Sequence, residues 1–176
     1  MRWFQGSQLA ITNICGFETG AGGNDNEGTL NGAGATIQTT TKRTGDYALK
    51  INPTTTATAY FEFKDWYEAD GTITSVTATT NSRCRFYLRI TALPSAAEPI
   101  FQYVAAGPAI KFELRLDSAG KLTALQGSDL SSLGTGTTVL ATDTWYRIEV
   151  QCNSGTSTTW QGLINGASEL SCTTGN

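Results

Sequence analysis

Three carboxylates, Glu62, Asp65 and Glu68, fall within the run FEFKDWYEAD from Phe61 to Asp70 and are the first groups to weigh as chemistry. Glycoside hydrolysis needs two carboxylates flanking one bond, roughly 5 Å apart in a retaining enzyme. A strand supplies such a pair only at alternate positions, which share a face. These three are spaced three and three, so adjacent members point to opposite faces of a continued strand and read as solvated strand-end and turn carboxylates. The chain contains no histidine. Its commonest general base and transition-metal ligand are therefore both missing, which excludes Ser-His-Asp, Cys-His and His-based zinc chemistry together. The expectation is a protein that is not an enzyme.

A binding strip is easier to find. From Arg83 to Ile90 the residues alternate, with Cys84, Phe86, Leu88 and Ile90 on one side and Arg83, Arg85, Tyr87 and Arg89 on the other. Three guanidinium groups and a phenol then line one exposed surface. Arginine forks suit carboxylates and phosphates, and a tyrosine ring can stack on a sugar, so an anionic glycan or an acidic neighbouring subunit is the functional reading. The structural reading is a cross-strand charge ladder with Glu149, Glu113 or Glu62. Tyr60, Trp66 and Trp160 join Tyr87 as glycan-stacking candidates, set against the ordinary use of aromatic rings in a sandwich core. Glu18, Asp25 and Glu27, with Asn26, are hard oxygen donors in a Gly/Asn-rich loop. They offer a structural calcium site or a solvated loop, and their spacing matches no EF-hand. No other cofactor is expected.

These groups need elements to hold them. Thr144 to Gly166 carries the clearest signals: Tyr146, Ile148, Val150 and Cys152 alternate with Arg147, Glu149 and Gln151. Asn153-Ser154-Gly155 then turns the chain, Thr158 to Ile164 returns, and Asn165-Gly166 marks a tight hairpin. Ala109 to Asp117 alternates most regularly, with Ile110, Phe112, Leu114 and Leu116 inward, and Ser118-Ala119-Gly120 turns it into a strand from Lys121 to Gln126. Tyr47 to Ile51 and Thr58 to Lys64 are further strands. Ile100 to Ala105, apolar on both faces, reads as a central one. Gly127 to Gly136 reads as a loop pinned by Leu130 and Leu133, and Thr137 to Leu140 as a short strand. About ten short strands and no helix of useful length predict two packed antiparallel sheets. Residues 1–34 are expected as an arm or edge strand plus a loop, and 35–176 as the sandwich.

A chain of 176 residues with 15 % charged residues and a net charge of −3 suggests neither a polybasic surface nor an acidic tail, so nucleic acid is not an expected partner. The first residues hold a single arginine and no sustained apolar run, which predicts neither a leader nor a membrane span. Cys15, Cys84, Cys152 and Cys172 lack CxxC spacing, and free thiols are the expectation; if one bridge forms, Cys152 with Cys172 is the candidate.

The runs FELRLDSAGKLTALQGS and TTVLATDTWYRIEVQCNSGTSTTWQGLING resemble the concanavalin A-like lectin/glucanase jelly roll, especially its laminin-G-like branch. The resemblance extends from Phe86 to Gly166, and GFETG with KRTGDYALKI looks like the opening of related sandwich modules. It implies an antiparallel two-sheet jelly-roll sandwich with further strands after the Asn-Gly hairpin, one of which this chain is expected to lack. In certain relatives a glutamate at the position of Glu18 ligates calcium. Domains of this kind occur in phage structural proteins. The expected function is a capsid-decorating or fibre module of a virion, synthesised in the host cytoplasm and assembled as a homo-oligomer on other virion proteins such as the major capsid protein. The alternative is an extracellular carbohydrate-binding module.

Overall fold

The computed structural model describes residues 2–5, 10–14, 29–31, 34–52, 60–62, 81–105, 109–127, 129–153 and 158–174. Every regular element among them is a strand. β1 (Arg2–Gln5) and β2 (Ala10–Ile14) come first, followed by β3 (Thr29–Asn31), β4 (Ala35–Gln38), β5 (Ala48–Ile51) and β6 (Tyr60–Glu62). The longer strands follow: β7 (Asn81–Arg89), β8 (Glu98–Ala105), β9 (Ala109–Leu116), β10 (Leu122–Gln126), β11 (Ser131–Thr135), β12 (Trp145–Asn153), β13 (Thr158–Ile164) and β14 (Ala167–Thr174). The chain divides into two compact units, one of Met1–Trp3 with Ala10–Ala78 and one of Phe4–Leu9 with Thr79–Asn176. The β4–β5 hairpin, which opens the stretch expected as the sandwich, thus belongs to the first unit.

In that first unit β4 pairs antiparallel with β5, and β3 with β6. The second unit holds the sandwich. β14, β13, β12 and β7 lie side by side in one sheet, and β11, β10, β9 and β8 in the other, with antiparallel pairing along each run. The reason is written in the alternation. Ile148 and Val150 from one sheet, and Phe112, Leu114, Leu116 and Leu122 from the other, converge in one buried cluster with Trp160, Ile164 and Leu170. Each large apolar side chain so buried contributes about 1.5–3 kcal/mol. The Trp160 ring lies flat on Phe112, 4.3 Å between centroids and 11° between planes, and Tyr103 tilts against it at 5.6 Å. The strands expected at Arg83–Ile90, Ala109–Asp117, Lys121–Gln126 and Thr158–Ile164 are present within a residue or two at their ends.

Three expectations are corrected. Ile100 to Ala105 belongs to β8, which among the described residues is the end strand of its sheet and not a central one, where Pro99 can lack an N–H without breaking a ladder. The stretch expected as a loop contains β11, which pairs with β10 across a bulge at Ala124 and Leu125. Thr137 to Leu140 is no strand, because the N–H groups of Thr137 and Thr138 go to the Glu169 carboxylate, with Thr138 N at 2.6 Å. A Cβ at Gly136 would meet that carboxylate side chain, which would have to shift to make room. Cys152 and Cys172 are not bridged, which agrees with the expectation of thiols over a disulfide. Each is in register with Trp160 on the intervening β13, so two inter-strand steps of about 4.8 Å separate their backbones, beyond disulfide reach. Cys84 is buried and not in a disulfide. The residues after the Asn165-Gly166 turn form β14, a full partner for β13.

Candidate binding face

The outward face of β7, β12, β13 and β14 is laid out in rows by strand register. Arg83 faces Gln151, which faces Gln161, which faces Ser171. In the next row Arg85 faces Glu149, and Glu149 faces Leu163. Tyr87 then faces Arg147, and Arg89 faces Trp145. The inward neighbours explain this orientation: Cys84, Ile148 and Val150 are buried in the core, so alternate residues must point out.

All four residues of the Arg/Tyr strip are on this face. Arg83, Arg85 and Tyr87 are exposed, Tyr87 at 41 %, and Arg89 is half-buried. The expected charge ladder is present in part. Arg85 Nη2 donates to Glu149 Oε2 at 3.3 Å, and Arg147 Nε lies 2.7 Å from Glu149 Oε1. The second contact is an ion pair without hydrogen-bond alignment, since the buried Arg147 Nε has no hydrogen-bond partner. Arg89 Nη2 donates to Asp143 Oδ1 at 2.7 Å. Arg83 has no ion pair among the described residues. Glu113 is elsewhere: it is buried on β9 of the other sheet and accepts from Arg115 and Gln102. Glu62 lies in β6 of the first unit.

The aromatic candidates divide. Trp160 is 4 % exposed and stacked on Phe112, so it is a core residue and offers no platform to a sugar. Its phase with Gly162 and Ile164 along β13 turns it inward. Tyr60 lies in β6, while Trp66 falls outside the described residues, as do Glu18, Asp25 and Glu27. Among the described residues no group of three His, Cys, Asp or Glu side chains is placed to hold a metal, and no helix is long and apolar enough to cross a membrane. Trp145, half-buried opposite Arg89, is the ring that sequence reasoning missed. Extending the Tyr146 to Cys152 alternation one residue back puts it on the Arg147 side.

Gln161 Nε2 donates to Ser168 Oγ at 3.1 Å. The tight turn below it positions Arg147: Asn165 and Gly166 take φ of 54° and 91°, Asn165 Oδ1 accepts from Arg147 N at 2.9 Å, and the guanidinium lies against Gly166. Guanidinium forks, amides, hydroxyls and two rings on one sheet surface are groups that bind: forks take carboxylates bidentately, and amides both donate and accept. Comparison with protein-family models, curated proteins and solved structures finds no match to this chain.

Proposed function

We propose that the chain is a non-enzymatic structural and binding module, built as a jelly roll of the concanavalin A-like, laminin-G-like kind, and that its setting is a virus particle, as a capsid-decorating or fibre protein. The Thr/Gly/Ser-rich, low-charge composition and the sandwich with its β12–β13–β14 meander support this reading. The observation that carries it is the outward face of β7 and β12, where Arg83, Arg85, Arg89 and Arg147 are gathered beside Tyr87 and Trp145 by backbone register. A rigid sheet with such a face is suited to contact, repeated by symmetry on a particle. Mass spectrometry of purified virions tests the setting. The chain is expected there at a fixed stoichiometry to the capsid protein; its absence from particles while it accumulates free in the medium contradicts the virion reading and favours the extracellular carbohydrate-binding alternative.

A further inference from the structure

We propose that the outward face of β7 and β12 holds an extended acidic segment of a neighbouring protein, lying along the strands, an assignment that rests on reading the chain as a binding module. The groups on this face form two columns. On β7, Arg83, Arg85, Tyr87 and Arg89 follow at every second residue, about 6.7 Å apart and on the order of 20 Å from end to end. On β12, about 4.8 Å to the side, Gln151, Glu149, Arg147 and Trp145 are their register partners. A ligand crossing the strands meets one such pair, whereas one running along the seam meets all four.

The repeat along the seam matches another polypeptide. An extended segment turns every second side chain to one side, so its groups recur at the same spacing of about 6.7 Å. The residue types agree with a protein partner, because interface hot spots are enriched in Arg, Tyr and Trp. Here exposed Tyr87 stands beside Arg147, and half-buried Trp145 beside Arg89.

The charge of the face makes that partner acidic. Four arginines, Arg83, Arg85, Arg89 and Arg147, meet two carboxylates, Glu149 and Asp143, and leave a positive excess in a chain whose net charge is −3. Glu149 is shared: Oε2 takes Arg85 and Oε1 takes Arg147. Both guanidinium groups are thereby held in place before a partner arrives, which lowers the ordering cost of binding. Arg83 is exposed, faces the Gln151 amide and has no ion pair among the described residues, so its fork is open to a carboxylate. The Arg83 and Arg147 rows lie four residues apart along the strands, so two carboxylates at that spacing on the partner meet one arginine each. Nucleic acid, with a phosphate on every unit, would set like charge against Glu149 and Asp143.

The test is an NMR titration of the full chain with capped Thr/Ser peptides carrying two aspartates, four residues apart in one and three apart in the other. The asparagine version of the first peptide and a thymidine oligonucleotide are the controls. Binding of the peptide with aspartates four apart is expected, with the Trp145 indole N–H signal shifted. The affinity is expected to fall about fivefold or more with the spacing of three, with asparagine, and with Arg83→Gln. Arg83 is exposed, so its variant is expected to keep the wild-type melting temperature. Equal affinity for the other spacing, the asparagine peptide or the oligonucleotide, or no binding of any peptide, overturns the assignment. Association with purified particles separates this failure from that of the broader reading. A chain that stays on particles while no acidic peptide binds keeps the binding-module reading and loses this partner; a chain that does neither loses both.

Discussion

Glu169 on β14 accepts from Thr138 twice, from the backbone N–H at 2.6 Å and from Oγ1 at 2.7 Å, and thereby fastens the segment after β11 to the far edge of the opposite sheet. Desolvation raises the pKa of this carboxyl, but the hydrogen bonds from Thr138 and Thr137 and the nearby Lys121 charge outweigh it and hold the pKa below its ordinary 4.5. A carboxyl with a depressed folded-state pKa stabilises the fold above its unfolded pKa, and that contribution is lost as pH falls through the folded value. Glu169→Gln is expected to lower the melting temperature at neutral pH and to flatten its fall below about pH 4.5. An acid limb as steep as that of the wild type contradicts this account of the clamp.

Trp160 and Trp145 have opposite fates in the fold, and their truncations are expected to separate. Trp160→Ala empties a site stacked on Phe112 and is expected to cost about 3–5 kcal/mol. Trp145→Ala on the outward face is expected to cost about 1 kcal/mol or less. Urea unfolding followed by circular dichroism measures both. A Trp145 cost equal to that of Trp160 removes Trp145 from the contact face and returns it to the core.

How far the sequence is legible depends on burial. β7, β9 and β12 could be read because one face of each is held in a core, so apolar and polar residues must alternate. β11 could not: Ser131, Ser132 and Gly134 carry no such signal, and only pairing with β10 past a bulge makes them a strand. Thr137 to Leu140 has strand-like residues, yet a carboxylate more than thirty positions away takes the N–H groups a strand would need. The arginine strip was legible and its Glu149 partner was among those expected. Trp160 misled because Gly162, next in its phase, hides the inward face of β13, whereas Trp145 stands at the start of its strand, where the alternation has no preceding residue to anchor it.

The thiols give a chemical check. Cys84 is 2 % exposed and desolvation pushes its pKa up to about 12; burial also raises Cys172. Because the thiolate is the reactive form, iodoacetamide at pH 8 is expected to leave Cys84 unlabelled until the protein is unfolded. Mass spectrometry without reductant is expected to find Cys152 and Cys172 unbridged. A Cys152 to Cys172 disulfide contradicts the register that puts β13 between them.

Gly166→Ala tests how Arg147 is positioned. At φ of 91° a side chain is strained, and its Cβ would stand 2.5 Å from Arg147 Nη2. A loss of about 1–3 kcal/mol is expected, together with weaker binding at the face if Arg147 is displaced from Glu149. Unchanged stability contradicts the turn geometry.

Hydroxyl-radical footprinting addresses the central claim, that this chain meets its partner through the outward face of β7 and β12. Tyr87 and Trp145 are followed in the free chain and in the chain bound to purified particles. Leu93 and Val139, exposed at 39 % and 57 % beside the Gly120 turn of the other sheet, serve as internal references. The account predicts that oxidation of Tyr87 and Trp145 falls on binding while Leu93 and Val139 are oxidised as before. Protection of Leu93 and Val139 with Tyr87 and Trp145 unchanged would contradict it.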